Sequence, residues 1–264
     1  MSEIINTTFD IVSSVNMFKL YDVKHIYIVS YIDDVTSKVK HLSSEDDYLF
    51  PKDLYINGVE IQNAHQIEVL NTGTELLMYL TYFDSVLGKL ITTVLTSTDA
   101  INWVTKNNLI IEAIDITDLS DIRVILENGR YVLFGSYQTY NGMKLITCVS
   151  NDGVTFSSPK QCATNHDEID TYISGIVKKN DLYYIWYNST EDGAFKYKLS
   201  ISPDSHTLSD MSEIYHPNSN LLFINVIDNE MLITYSEILN NKLHFKILLE
   251  DITGKSMSTL FEIL

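Results

Sequence analysis

Short apolar or alternating segments, separated by turn residues, recur along the whole chain. The clearest set ends in tyrosine each time, at residues 25–31, 76–82, 130–137, 182–187 and 230–235. Turn sequences such as Asn128-Gly129 precede these segments, and each turn follows another short apolar run. The pattern predicts antiparallel strand pairs, with first strands near 17–21, 67–70, 122–126, 173–177 and 222–227.

A turn motif repeats at nearly constant spacing. The pattern Ser-x-Asp, a small residue, any residue, Asn or Thr, then a large apolar residue occurs at 97–103, 150–156 and 202–208, with a worn copy at 44–50 and a degenerate one at 249–251. Its aspartates, at positions 46, 99, 152 and 204, are 53, 53 and 52 residues apart. A third strand, as at 143–149 and 195–201, leads into the motif, and a fourth, as at 109–114, follows it. The repeating unit is thus four antiparallel strands.

Five such units predict an all-β, five-bladed β-propeller of four-stranded antiparallel blades. We expect a single domain over residues 1–264, with blades at roughly 16–60, 61–114, 115–165, 166–216 and 217–264, and with 1–15 supplying a ring-closing strand. The alternative is an irregular β-sandwich, which gives no reason for equal spacing.

The stretch Ser150-Asn151-Asp152-Gly153-Val154-Thr155-Phe156 resembles the Asp-box turns of sialidase-type propellers, in the short form also met in five-bladed arabinanase and fructosidase-type glycoside hydrolases. The aromatic strand at 182–187 also resembles strands that open blades in those hydrolases. The chain further resembles propeller domains of bacteriophage receptor-binding proteins. The resemblance covers nearly the whole chain as a repeat pattern.

Ser and Asp side chains accept hydrogen bonds from nearby backbone N–H groups, and the terminal Trp or Phe can pack beneath the hairpin. We therefore expect a structural role for Ser44, Asp46, Ser97, Asp99, Trp103, Ser150, Asp152, Phe156, Ser202 and Asp204. Strand alternation places these turns on the face opposite the loops that connect consecutive blades.

In the resembling hydrolases the substrate pocket opens at the axis, where the first strand of each blade begins. The corresponding ligand candidates are Asn16, His65, Asp121, Arg123, Glu168, Asp170, Tyr172 and Asn220. Asp121, Asp170 and Glu168 could supply the acid and base of a glycosidase. The resembling hydrolases carry an Asp at the opening of blade one, where this chain has Asn16-Met17, so no catalytic assignment follows.

The composition argues against several classes of binding partner. A formal net charge of −17 opposes binding to nucleic acid and to anionic membranes. With no long apolar run and no signal-like N-terminus, the sequence predicts a soluble protein without membrane insertion, in the cytoplasm or a virion.

No cofactor is expected, although acidic loops, among them Asp33, Asp34 and Glu168, could hold Ca²⁺, and scattered histidines give no zinc pattern. Cys148 and Cys162 are expected as buried thiols, with a cross-strand disulfide as the alternative.

Three functions remain open at this level. The favoured one is a non-catalytic propeller that binds a glycan or cell-surface carbohydrate, as a phage tail or receptor-binding component that could also contact other virion proteins. A glycoside hydrolase acting on an oligosaccharide is the second. A structural propeller that docks proteins in a larger assembly is the third.

Overall fold

The structure is a computed structural model of the 264-residue chain. It describes residues 2–8, 12–19, 27–33, 36–43, 52–60, 62–162, 169–191, 194–208, 212–214, 219–227, 230–239 and 242–251. Within these ranges the regular elements are β-strands and one 3-10 turn, Ile116–Asp118. The all-β prediction is confirmed.

The strands follow one another in short succession. They are β1 (Ser2–Thr8), β2 (Val12–Lys19), β3 (Tyr27–Asp33), β4 (Lys38–Ser43), β5 (Lys52–Asp53), β6 (Tyr55–Ile56), β7 (Val59–Glu60), β8 (Ala64–Asn71), β9 (Leu76–Asp84), β10 (Lys89–Ser97), β11 (Asn102–Asn108), β12 (Ile110–Ile111), β13 (Leu119–Glu127), β14 (Arg130–Thr139), β15 (Gly142–Ser150), β16 (Thr155–Phe156), β17 (Lys160–Gln161), β18 (Ile169–Lys179), β19 (Leu182–Glu191), β20 (Ala194–Ser202), β21 (Ser212–Ile214), β22 (Ser219–Ile227), β23 (Glu230–Leu239) and β24 (Lys242–Asp251).

Consecutive strands pair antiparallel in groups. The groups are β2-β3-β4-β5, β8-β9-β10-β11, β13-β14-β15-β17, β18-β19-β20-β21 and β22-β23-β24-β1. The last group takes its fourth strand from the N-terminal end, because β1 pairs antiparallel with β24. One parallel pair, Gly175 with Ile224, joins the two final groups into a continuous sheet.

The first strands of these groups pack against one another. β2 contacts β8, β8 contacts β13, β13 contacts β18, β18 contacts β22, and β22 contacts β2 again. The contacts therefore form a closed cycle, which places the beginnings of these strands around one centre.

Apolar side chains fill the spaces between neighbouring groups. One core contains Val39, Leu80 and Trp103, and a second contains Tyr79, Leu133 and Phe156. Each core joins residues from two consecutive groups, since each strand presents alternate side chains to opposite faces of its sheet. Burial of this kind is the main stabilising contribution to such a fold.

The fourth strand lies earlier than the sequence predicts. We expected it at 109–114, but β11 begins at Asn102, within the turn motif, and pairs with β10. Residues Ile110–Ile111 instead pair in parallel with Thr155–Phe156 of the next group. The polar run at 104–108 hid β11 because its side chains are mostly exposed on an outer strand.

Parallel pairing also links the turn motif to the preceding group. Trp103 pairs with Ile56, and Phe156 pairs with Ile111. The Tyr79 hydroxyl donates a hydrogen bond to the Gly153 carbonyl oxygen at 2.9 Å. The motif turns thus lie where two strand groups meet.

No helix in the described part of the chain has the length and apolar character needed to cross a membrane.

Candidate functional site

A β-bulge interrupts the beginning of every first strand. The register shifts between Val12 and Val15, Ala64 and Gln66, Ser120 and Arg123, Ile169 and Tyr172, and Ser219 and Leu222. Bulges re-aim side chains and are frequent beside active sites. All of these lie at the strand end away from the tight turn to the second strand, so they surround one end of the central space.

Two of these bulges carry an aspartate in left-handed backbone. Asp121 has φ 51° and Asp170 has φ 54°. Asp tolerates this region better than most residues because its short polar side chain can hydrogen-bond locally. β13 and β18 pack against each other, so the two carboxyls come from neighbouring strands at equivalent positions.

Asp121 is held in a partly buried, polar position. The Ser120 hydroxyl donates to its Oδ2 atom at 3.1 Å, and Ser136 is a second hydrogen-bond partner. Burial raises the pKa of the Asp121 carboxyl above its ordinary value, although the charge of Arg123 and these two hydrogen bonds act in the other direction. A carboxyl of this kind can keep a proton for donation.

Asp170 ties its strand to the preceding group. Its Oδ1 atom accepts a hydrogen bond from the backbone N–H of Met143 at 3.0 Å. The adjacent Thr171 hydroxyl donates to the Met143 carbonyl oxygen and accepts from the Leu145 N–H. These contacts fix the position of Asp170 relative to the hairpin between β14 and β15.

Tyr172 lies within the influence of both carboxyls. Burial raises the pKa of its phenol, and the negative charges of Asp170 and Asp121 raise it further. The phenol is therefore a neutral hydrogen-bonding group beside the two aspartates at physiological pH. These three predicted residues therefore lie near enough for the two negative charges to act on the phenol.

A buried network lies deeper along the same strands. Glu68, which is 5% exposed, accepts hydrogen bonds from Asn16 Nδ2 at 2.8 Å, from the Val124 N–H at 3.3 Å and from Arg123 Nη1 at 3.4 Å. Arg123 also donates from Nε to the Ser174 carbonyl oxygen at 3.1 Å. Burial raises the pKa of Glu68 to about 7, against the Arg123 charge and the other two hydrogen bonds.

Two of the predicted ligand residues belong to this buried network. Asn16 and Arg123 are 1% and 5% exposed, and both bind Glu68 rather than facing open space. The bulge of β2 holds Ser13 and Ser14, so the first strand group has no carboxyl at the position that carries Asp121 in β13. The sequence places Glu68 with His65 among the polar residues at the beginning of a first strand, but a single acidic residue within an apolar strand gives no signal for a buried ion pair.

The remaining predicted site residues differ in how they are placed. His65 occupies the bulge of β8 with an exposed side chain. Asn220 belongs to the bulge of β22, where only the backbone is described. Glu168, Ser44 and Asp46 lie outside the described residues.

The motif aspartates lie at the opposite end of the sheets. Asp99 Oδ1 accepts from the N–H groups of Ile101 and Asn102 and from the Ser97 hydroxyl, at 2.8–3.0 Å. Despite some desolvation, the hydrogen bonds from Asn102, Ile101 and Ser97 lower the pKa of Asp99 to about 2. Trp103 is buried, and its indole N–H donates to the Ala100 carbonyl oxygen.

Equivalent contacts recur in the next two copies. Asp152 accepts from the Val154 and Thr155 N–H groups and from the Ser150 hydroxyl, and Phe156 is fully buried. Asp204 accepts from the His206 and Thr207 N–H groups, and Ser202 accepts from the Asp204 N–H. These carboxylates are already engaged by their own turns, as a structural role requires.

Metal binding and thiol chemistry are two further candidate activities of this chain. Within them, no group of three or more His, Cys, Asp or Glu side chains is arranged to hold a metal ion. Several residues behind the calcium hypothesis, including Asp34 and Glu168, lie outside the described ranges, so that hypothesis stays a prediction. Cys148 and Cys162 are free, buried thiols in two different cores.

Comparison with known proteins identifies the fold. No family model and no curated relative matches the chain. Among solved structures, an endo-arabinase from Bacteroides thetaiotaomicron VPI-5482 matches with TM-score 0.64 and 11% identity, covering 97% of this chain and 99% of that one. An exo-1,5-α-L-arabinanase from a bovine ruminal metagenomic library matches with TM-score 0.63 and 14% identity, covering 92% and 93%. The RS223 β-xylosidase matches with TM-score 0.63 and 11% identity, covering 93% and 94%.

The chain therefore shares the β-propeller fold of these glycoside hydrolases, and the predicted resemblance to arabinanase-type propellers is confirmed at the level of the fold. The favoured function from the sequence, a non-catalytic glycan-binding component of a phage tail, is wrong. The matching structures over nearly the full chain are glycoside hydrolases, and they favour the hydrolase alternative. The favoured prediction depended on the missing carboxylate at Asn16, but Asn16 lies in the buried network and not at the bulge of β2.

Proposed function

We propose that this protein is a five-bladed propeller that hydrolyses glycosidic bonds of an oligosaccharide, with Asp121 and Asp170 as its pair of carboxyl groups. Each of the antiparallel strand groups forms one blade, and the cycle of contacts among their first strands surrounds the axis. The substrate enters at the end where the bulges lie.

The observation that carries the proposal is the equivalent position of the two aspartates. Both occupy the bulge of a first strand, both have left-handed backbone, and both act on the Tyr172 phenol. Left-handed backbone at a residue other than glycine costs free energy and is concentrated at functional sites. The motif aspartates, by contrast, are engaged by backbone N–H groups at the other end of the sheets.

The two carboxyls have different surroundings, as acid–base catalysis requires. Burial raises the pKa of the Asp121 carboxyl, and Asp121 acts as the general acid. It protonates the leaving glycosidic oxygen while the bond from that oxygen to the anomeric carbon breaks. Asp170, which already accepts an N–H hydrogen bond as a carboxylate does, removes a proton from the water whose oxygen bonds to the anomeric carbon.

Tyr172 and His65 extend the site. The neutral Tyr172 phenol offers a hydrogen bond to a sugar hydroxyl and an aromatic face to its C–H surface. His65 is exposed at the equivalent bulge of the neighbouring blade and could bind the next sugar ring. The acidic protein favours neutral glycans over anionic ones, because a net charge of −17 repels anions.

The experiment is a hydrolysis screen of neutral arabino-, xylo-, fructo- and manno-oligosaccharides, followed by kinetics of Asp121→Asn and Asp170→Asn on any substrate found. Each variant should lose at least about 100-fold in kcat, the usual contribution of a positioned acid or base. Asp99→Asn is the matched control, with the same chemical change at the opposite end of the sheets, and it should keep kcat. Glycan binding without turnover by the wild type, or full activity in both site variants, would refute the proposal.

A further inference from the structure

The buried ion pair between Glu68 and Arg123 has no direct part in the mechanism above. Arg123 is held on three sides, by Glu68 Oε2, by the Ser174 carbonyl oxygen and by the Ile122 carbonyl oxygen at 2.9 Å. Glu68 is held by Asn16 and Val124 as well. The network connects strands β2, β8, β13 and β18.

Stability alone is a weak reason for such a pair. Taking two charges out of water has a cost that their attraction only partly offsets, and buried pairs can often be replaced by apolar residues without loss of stability. A buried pair next to a proposed proton donor can serve the chemistry instead, because perturbed titrations concentrate at functional sites.

Arg123 is paired with Glu68 and lies two residues after Asp121 on β13. Its positive charge lowers the pKa of Glu68 and also that of Asp121, which lies two residues earlier on the same strand. Two other groups hydrogen-bond to Asp121, the hydroxyls of Ser120 on β13 and Ser136 on β14. The negative charge of Asp121 also raises the pKa of the Tyr172 phenol on β18. The negative charge of Glu68 contributes to raising the pKa of the Tyr79 phenol on β9.

We propose that Glu68 is a positioning residue for catalysis. Its carboxylate pairs with Arg123 and neutralises the charge of the guanidinium, so that Asp121 remains able to donate a proton. This inference rests on the proposed role of Asp121 as the acid. Above its pKa of about 7, Glu68 is ionised and opposes the effect of Arg123, so removal of its charge makes Asp121 more acidic in that range. A general acid that loses its proton at lower pH moves the alkaline limb of the activity profile to lower pH.

The test is the pH profile of kcat/KM for Glu68→Gln and for Glu68→Gln combined with Arg123→Gln. The single variant should move the alkaline limb down by about one pH unit, the size expected for an unopposed neighbouring charge. The double variant, which removes both charges, should return the limb to the wild-type position or above it. A purely structural role would lower activity at every pH and leave the limb in place in both variants, which would overturn the inference.

A second measurement keeps the inference separate from the proposed function. Carbon-13 NMR of the Asp121 carboxyl in the unliganded wild-type protein needs no substrate and no substitution. Asp121 and Glu68 should titrate as a coupled pair, each curve showing an inflection from the other. Coupled curves in a protein without hydrolase activity would remove the proposed function alone, whereas independent single-step curves would overturn the role of Glu68 even in an active enzyme.

Discussion

The side-chain amide of Asn16 donates a 2.8 Å hydrogen bond to the carboxyl of Glu68, a residue 52 positions further along the chain. The contact joins the first strands of two neighbouring blades below the mouth of the proposed site. It explains why an amide stands at this position. A carboxylate there would meet another carboxyl in a place that water does not reach.

Asn16→Asp should therefore destabilise the protein at pH 9 by about 3–5 kcal/mol, the cost of leaving a buried charge unmatched. The loss should be smaller at pH 6, below the Glu68 pKa of about 7, because one of the two carboxyls then holds a proton. Asn16→Ala is the control, and it should cost only about 1–3 kcal/mol for the unsatisfied partner atom. Chemical denaturation at both pH values checks this, and an Asn16→Asp variant as stable as the Ala variant would show that the position is solvated.

The turn at Asp99 gives a second prediction. Asp99→Asn should destabilise the protein by about 1 kcal/mol at pH 7, comparable to the loss of a helix cap, which corresponds to a fall in Tm of about 2–4 °C. Because the pKa of Asp99 is lowered to about 2, its contribution is complete above its ordinary value of 3.8 and disappears as the pH falls through 2. The difference between variant and wild type should shrink over that range. Asp118→Asn, the same change at an exposed side chain, is the control, and its stability at pH 7 should stay close to that of the wild type.

Two glycines with positive φ separate backbone strain from contact. Gly153 has φ +72°, and a Cβ atom there would come within 3.1 Å of the Tyr131 ring, whereas Gly73 has φ +86° and nothing within 4 Å. Both alanine variants should lose about 1–2 kcal/mol because left-handed backbone disfavours a side chain. Gly153→Ala should lose more than Gly73→Ala, since the Tyr131 ring must move. Equal thermal stabilities of the two variants would contradict the described packing.

The two cysteines should be unreactive in the native protein. Burial raises the pKa of each thiol to about 12, and for Cys162 the negative charge of Asp204 adds to the effect. Thiolates are the reactive species, so alkylation at pH 8 should label neither residue until denaturant is added, when both should react. Rapid labelling of either thiol without denaturant would show that its core is open.

The repeat predicted the strands because each unit carries its own turn signals. Asn128-Gly129 and the Ser150–Asp152 turn bound β14 and β15 as expected from local chemistry alone. The beginnings of the first strands were missed for a physical reason. A bulge adds one residue and reverses which side chains face the core, so the alternating pattern runs back only as far as Asp121 and Asp170. The strands themselves begin one or two residues earlier, at Leu119 and Ile169.

The site could be predicted only in part for the same reason. Asp121, Asp170 and Tyr172 were predicted as site residues because they are polar residues at strand beginnings. Asn16 and Arg123 share that description, but they lie beyond the bulge and bind Glu68. The register between neighbouring blades decides which polar residue faces the axis and which one pairs with a residue about 50 positions away. The sequence of a single strand does not reveal that register.

The central claim is that Asp121 protonates the leaving group and Asp170 activates water. Its most direct test is the kcat of each Asn variant on two substrates that share one sugar, an aryl glycoside with a highly acidic phenol and the matching oligosaccharide. The acidic phenol leaves without protonation, so Asp121→Asn should keep most of its activity on the aryl glycoside and lose at least about 100-fold on the oligosaccharide, whereas Asp170→Asn should lose activity on both. Equal losses on the two substrates in Asp121→Asn, or no loss in Asp170→Asn, would contradict the assignment.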